Sequence, residues 1–235
     1  MNINEIWEIA KLLFTGLKIT VELTVISGVL CVGVAVVAGI ARLSPRKTVR
    51  SLAGIFVEFF RGTNVIVQLF WAFYALPLLG VYMAPMTAAI MVLALNAGAY
   101  GAEVVRGAIK AVPHGQREAA TALNMTPMTT VARVILPQAV PAMIPPFTNL
   151  LIELLKSTPL VSLITIADMT FIGDTIRSRT GDSETVFLVL FVLYFFLASA
   201  ISILGRFAER IPKYRRVTVD SSKQSRPGQK LEVMP

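Results

Sequence analysis

Cysteine and histidine are almost missing from this chain. Cys31 and His114 are the only ones, which excludes a disulfide framework and any Cys/His cluster around a metal. No Gly-x-x-x-x-Gly-Lys-Ser/Thr run occurs, so ATP is not held here by a phosphate loop. The lone histidine follows Pro113 in a polar connection, and no nucleophile–base pair is evident; the chain does not read as an enzyme. Charge is scarce too. Only 15% of the residues are charged and 55% are apolar, whereas soluble domains average about 25% charged. The sequence reads as an all-α integral membrane protein, because in lipid the backbone must satisfy itself within helices. No internal repeat of useful length is present, which weighs against transporters built from inverted halves.

What the chain has in quantity is apolar length. A span needs roughly 20 such residues, and five segments qualify: 12–41, 55–79, 85–105, 139–166 and 185–204. The first is too long for a signal-peptide core and lacks a small-x-small cleavage site, so it reads as a retained span. Of the 22 Lys and Arg residues, sixteen fall after the first span, between the third and fourth, or after the fifth. Positively charged loops stay in the cytoplasm. Residues 1–11 are therefore expected outside, and the carboxyl terminus and the 106–136 segment inside. The net charge of +8 reads as topology and attraction to anionic lipid, not as a nucleic-acid surface. Residues 216–235 are polar and read as a disordered cytoplasmic tail.

Within the spans, three acid–base pairs share the i,i+3 spacing of helical neighbours: Glu58/Arg61, Glu103/Arg106 and Glu153/Lys156. Each pair can neutralise itself, and an unpaired charge at the bilayer centre costs about 2.5–3.5 kcal/mol on the insertion scale. The first two therefore read as structural, with Arg61 long enough to snorkel. Glu153/Lys156 stands near mid-span in a segment carrying Pro141, Pro145, Pro146 and Pro159, with Thr158 beside the last. Irregular backbone at that depth is tolerated where it lines a cavity. A carboxylate and an ammonium together also suit a zwitterion. Gln68, Asn96 and Tyr100 are candidate neutral hydrogen-bonding groups on the same route, each equally readable as interhelical glue.

One stretch between apolar runs reads as ordered: Arg117–Pro137, REAATALNMTPMTTVARVILP. Glu118 to Leu123 is good helix-forming sequence. Asn124 falls where a left-handed residue would end that helix, and Thr126-Pro127 restarts one with a hydroxyl cap and Pro at the first position. This is an elbow on the side placed in the cytoplasm.

The residues of the elbow match a known pattern. Glu118-Ala119-Ala120, three residues, Asn124, nine residues and Val134-x-Leu136-Pro137 resembles the Glu-Ala-Ala…Gly…Ile-x-Leu-Pro signature of the permease subunits of bacterial ABC importers. Asn124 replaces Gly and Val134 replaces Ile. The likeness extends over about residues 12–215. Phe59-Phe60-Arg61-Gly62-Thr63, Asn96-x-x-x-Tyr100-x-x-Glu103-x-x-Arg106-Gly107 and Leu154-Leu155-Lys156-x-Thr158 resemble the polar amino-acid uptake branch, where Pro commonly stands at the position of Asn64. Two stretches, EFFRGTNVIVQLFWAFYALP and LNAGAYGAEVVRGAI, look especially similar to ectoine and hydroxyectoine permeases.

The resemblance implies five spans of the type I importer permease kind in the bacterial inner membrane. It implies a second permease subunit, identical or a sister chain, a cytoplasmic ATPase dimer that binds ATP-Mg, and an extracytoplasmic solute-binding protein. This chain would bind no cofactor. The elbow becomes the coupling helix, with Arg117, Glu118, Ala119, Ala120, Leu123, Asn124, Met125 and Pro137 as the residues expected at or near the ATPase. Glu153, Lys156, Thr158, Asn96, Tyr100, Gln68, Arg61, Thr63 and Asn64 are the expected substrate-path residues. An ion-coupled secondary transporter of a zwitterion, with Glu153 as a proton site, is the competing reading.

Overall fold

The computed structural model describes residues 3–210, which are helical almost throughout; the tail read as disordered lies outside them. Helix α1 (Ile3–Ala41) and helix α4 (Pro85–Ala111) form the most extensive helix–helix contact. Apart from Leu23, the buried stripe of α1 is small or hydroxylated, with Thr20, Thr24, Ser27, Cys31, Ala35 and Ala38. Lipid supplies no hydrophobic drive between spans, so close packing of small residues must hold them together. Gly101 of α4 lies so near α1 that a Cβ there would stand 2.7 Å from Ala35 Cβ. Gly39 of α1 approaches α4 just as closely, with Ala102 O and Val105 Cβ each 2.8 Å from where its Cβ would be.

Helix α2 (Lys47–Gly62) is amphipathic and buries Val57, which packs with Ala38 of α1 and Ala102 of α4. The 55–79 segment, read as one span, is not straight. Asn64 caps a new helix α3 (Val65–Phe70) by accepting from Ile66 N–H at 3.0 Å. The arm Val65–Leu79 leaves α2 at 103°. A wide π turn (Trp71–Ala75) and a 3₁₀ turn (Leu76–Leu79) complete the arm, and Gly80 closes it at φ 85. Pro77 accounts for the wide turn: it offers no N–H to the ladder, and Leu76 N–H reaches back to Trp71 O.

Helices α5 (His114–Ala122) and α6 (Pro127–Thr130) make the elbow, and α7 (Leu136–Ser157) returns through the bundle. A second π turn, Val131–Ile135, precedes Leu136-Pro137 just as the first precedes Leu76-Pro77, with Leu136 N–H on Val131 O. Helix α7 runs unbroken through Pro141, Pro145 and Pro146. The backbone leaves the α-helix only at Thr158–Ile164, a 3₁₀ stretch that includes Pro159. A proline's φ suits a helix, and its cost lies in the missing bond and ring crowding; packing of α1, α4 and α9 around α7 holds the helix through them.

The connection after residue 166 contains a helix the sequence reading lacked, α8 (Met169–Thr180), which leads to α9 (Ser183–Arg210). Asp168 caps α8, accepting from Phe171 N–H at 3.0 Å and Thr170 N–H at 3.2 Å. It is fully buried and also receives Tyr194 O–H of α9 at 3.4 Å, while Met169 N–H donates to Thr20 of α1 at 3.2 Å. Burial pushes the Asp168 carboxyl above its usual range, and those N–H and O–H donors oppose the shift. One polar knot thus ties α8 to α1 and α9.

Among the described residues, four helical stretches are long and apolar enough to cross a membrane: Lys11–Ala41, Pro85–Ala111, Val131–Ile164 and Ser183–Arg210; the bent α2–α3 pair makes five if counted as one span. Gly101→Leu is expected to wedge α1 from α4 and lower stability by about 1–3 kcal/mol, the usual cost of overpacking. Thermal unfolding of the detergent-solubilised protein measures this. Gly107→Leu, on the same helix with nothing within 4 Å of its Cβ position, should leave the transition unchanged.

Candidate functional site

The bend between α2 and α3 frees carbonyls that must find donors away from water. Gln68, buried in α3, answers them: its Nε2 donates to Phe60 O at 3.0 Å, Thr63 O at 3.2 Å and Thr63 Oγ1 at 2.7 Å. Asn96 of α4 donates through Nδ2 to the same Phe60 O at 3.0 Å and to Gln68 Oε1 at 3.2 Å. A carbonyl only accepts, so both amides must turn their NH₂ ends to Phe60. Asn96 Oδ1 is then left without a partner among the described residues.

Beside this bend lies a cavity of about 380 Å³ whose lining includes Val65, Asn96, Tyr100, Glu153, Lys156 and Ser157. Glu153 and Lys156, one helical turn apart on α7, are both exposed and form no ion pair with each other or with any other described residue. The expected self-neutralisation is therefore not made. Both residues are exposed and open on the cavity, so burial does not force them to pair. Tyr100 donates its O–H to Arg61 O at 3.4 Å, and the Arg61 guanidinium stands 5.4 Å above its ring. The cavity thus offers a carboxylate, an ammonium and an amide oxygen within one wall-to-wall space.

The remaining path candidates stand elsewhere. Thr158 is fully buried and spends its hydroxyl on Leu155 O at 2.8 Å. Thr63 donates to Phe59 O at 2.8 Å, Asn64 serves as the α3 cap, and Gln68 sits behind Asn96. These three shape the bend rather than line the cavity. The apolar part of the wall, Val65, Leu93, Ala97 and Leu150, was missed by a search for polar side chains; only the α3 bend, which a hydropathy count does not register, brings Val65 there.

The other acid–base pairs part ways. Glu103 accepts from Arg106 Nη2 at 2.6 Å and Nε at 2.9 Å, as the spacing predicts. Glu58 and Arg61 do not pair: Glu58 faces Arg42 Nη1 at 3.5 Å, and Arg42 also bonds Glu103. Arg42, past the end of α1, lies nearer to both carboxylates than a helix-only search anticipates. The resulting cluster fastens α1, α2 and α4 at their common basic end.

In the elbow, Asn124 adopts φ 53. Asn124 N–H bonds Thr121 O at 2.9 Å and Met125 N–H bonds Ala120 O at 3.0 Å, the paired bonds of a Schellman stop. Thr126 Oγ1 then accepts from Thr129 N–H at 3.3 Å, capping α6 before Pro127. Arg117 donates to Ile109 O at the end of α4 at 3.3 Å, and Gln138 of α7 to Gln116 at 3.3 Å. Fixed at both ends, the elbow buries Ala120 and leaves Glu118, Ala119 and Asn124 exposed, with Leu123 75% exposed at the tip. His114 stands 3.1 Å from Glu118. Pro137 is half-buried at the foot of α7.

Residues 32–213 match the family described as binding-protein-dependent transport system inner membrane component. A probable amino-acid ABC transporter permease of Sinorhizobium fredii is 44% identical over 203 residues, covering 83% of this chain and 84% of that protein. The L-cystine transport system permease of Bacillus subtilis is 35% identical over 83% of this chain and 84% of its own. The glutamine transport system permease of Escherichia coli is 34% identical over 87% and 94%. Among solved structures, the crystal structure of an amino acid ABC transporter with histidines shares 31% identity at a TM-score of 0.82, covering 89% of this chain and 98% of the other. An inward-facing methionine ABC transporter shares 26% at 0.75, with the same coverage. The chain is therefore a member of the binding-protein-dependent inner-membrane component family, a multi-pass permease subunit of an amino-acid ABC importer, with ATP hydrolysis belonging to a separate subunit.

Proposed function

We propose that this permease carries a zwitterionic polar amino acid, or an amino-acid-derived solute of the ectoine type, past Glu153, Lys156 and Asn96. The observation that carries the reading is the cavity in which an unpaired carboxylate and ammonium stand one helical turn apart. Residues at that spacing have Cβ atoms about 5–6 Å apart, so a ligand whose cationic nitrogen and carboxylate are attached to the same carbon can bridge them. The ligand's cationic end would meet Glu153 and Asn96 Oδ1, and its carboxylate Lys156. Tyr100 and the apolar wall would close around the rest. The likeness of EFFRGTNVIVQLFWAFYALP and LNAGAYGAEVVRGAI to ectoine permeases favours that solute within the class.

The path is half of a pair, completed by an identical or sister permease. The amino terminus faces outward, where a solute-binding protein delivers the ligand, and the elbow faces the cytoplasm. ATP-Mg on the ATPase dimer draws the elbows together and reopens the path outward. Nucleotide shifts that equilibrium only through contacts that differ between the two states, and the exposed Leu123, Glu118 and Ala119 are suited to make them.

In proteoliposomes holding the complete transporter, Glu153→Gln should lower uptake roughly 10–100-fold, matching the about 1.5–3 kcal/mol of a hydrogen bond to a charged group. The ATPase subunit should still co-purify with this variant. Normal uptake of both radiolabelled ectoine and glutamine by it would overturn the site. Uptake that survives ATP depletion would overturn the ATP-driven cycle.

Asn124 separates conformation from contact. Asn124→Gly keeps the left-handed stop and should preserve transport, whereas Asn124→Val opposes that backbone by about 1–2 kcal/mol and should uncouple ATP hydrolysis from uptake. Loss of coupling with Gly as well would assign the Asn side chain to the ATPase contact.

A further inference from the structure

A second cavity, of about 750 Å³, runs along the outer side of α1 where α2 leans against it. Its wall is apolar from end to end: Val29, Gly33, Val37 and Ala41 on α1, Ala53 and Phe56 on α2. The α1 residues recur every four positions, so they form one stripe. From Val29 to Ala41 that stripe is about 18 Å long at the helical rise per residue. Nothing lies within 4 Å of a Cβ placed at Gly33, and Val37 is 72% exposed. The groove is open to the bilayer and unfilled by the chain's own side chains.

Its lower end has a sharply different chemistry. Ala41 is followed by the turn into α2, where Arg46, Lys47 and Arg50 are all exposed. None of the three has an acidic partner among the described residues, whereas Arg42 beside them is committed to Glu58 and Glu103. The first turn of α2 contains no acidic residue. An apolar trench that ends at three unneutralised cations calls for a molecule with a long hydrocarbon body and an anionic head. A second copy of this chain meeting the same face symmetrically would bring like charges together, which disfavours it.

We propose that this groove is a binding site for an anionic phospholipid, one acyl chain lying against Gly33 and Val37 and the phosphate held by Arg46, Lys47 and Arg50. Basic clusters at a membrane face attract anionic lipid as mobile atmosphere; the apolar trench converts that attraction into a fixed site. The site is separate from the Glu153 cavity, and its proof or failure leaves the transport reading untouched.

The test is native mass spectrometry and lipid extraction on the intact transporter, purified from membranes and exchanged into nanodiscs of equal phosphatidylglycerol and phosphatidylethanolamine. The native chain should retain phosphatidylglycerol in preference to phosphatidylethanolamine. Gly33→Leu, whose Cβ would have nothing within 4 Å and whose side chain would occupy the trench, should lose the retained lipid while the complex stays assembled. Arg46→Gln with Arg50→Gln should keep a lipid and lose the preference for the anionic head. Undiminished lipid in Gly33→Leu, or no headgroup preference in the native chain, overturns the proposal. So does disulfide cross-linking of two copies through Gly33→Cys in a Cys31→Ala background, which would give the groove to a subunit interface.

Discussion

The amide of Gln68 is the contact on which the interior arrangement rests. A chain that turns through 103° strands carbonyls that the helix ladder no longer satisfies. Gln68 takes Phe60 O and Thr63 O, and Asn96 shares the first of them. One side chain therefore stabilises the bend, brings α3 against α4 and fixes which end of Asn96 is left unpartnered. The cavity is a by-product of the same bend, since Val65 enters its wall only because the chain changes direction there.

Much of this was legible in the sequence, and the illegible parts have definite causes. The Asn124 stop and the Thr126-Pro127 restart depend on short-range backbone chemistry, and that chemistry is local to the residues that show it. The break at Thr63-Asn64 is local too, but a hydropathy window averages it into one span. Helix α8 was overlooked because its surroundings are polar, although Asp168 as cap, Met169, Ile172 and Ile176 on one face, and Gly181 at φ 72 together spell a short amphipathic helix. Both π turns end on Leu-Pro, a signal visible in retrospect. The pairing of charges was the least legible. Spacing names the neighbours available on one helix and says nothing of Arg42, which reaches Glu58 and Glu103 from beyond the end of another.

The three acid–base pairs with one spacing thus have three outcomes. Glu103/Arg106 pairs within its helix and joins a cluster across helices. Glu58 and Arg61 turn to different partners, one to a guanidinium and the other to the face of Tyr100. Glu153 and Lys156 remain unpaired in a cavity. What separates them is surroundings: packed charge at the basic end, an aromatic face at the bend, open volume on α7.

The prolines of α7 give that helix a mechanical grain. A proline supplies no N–H to the carbonyl four residues before it, so Pro141, Pro145 and Pro146 release the carbonyls of Pro137, Pro141 and Ala142 from the ladder. Pro137 and Pro141 are themselves four residues apart, which puts their two released carbonyls in one row along the axis, while that of Ala142 lies about 100° further round. Between Pro137 and Ala142 the ladder is thus thinned on part of the helix circumference, although α7 continues as one helix. Elbow and cavity lie at opposite ends of this helix, so the released carbonyls stand between Pro137 at its foot and Glu153 in the cavity wall.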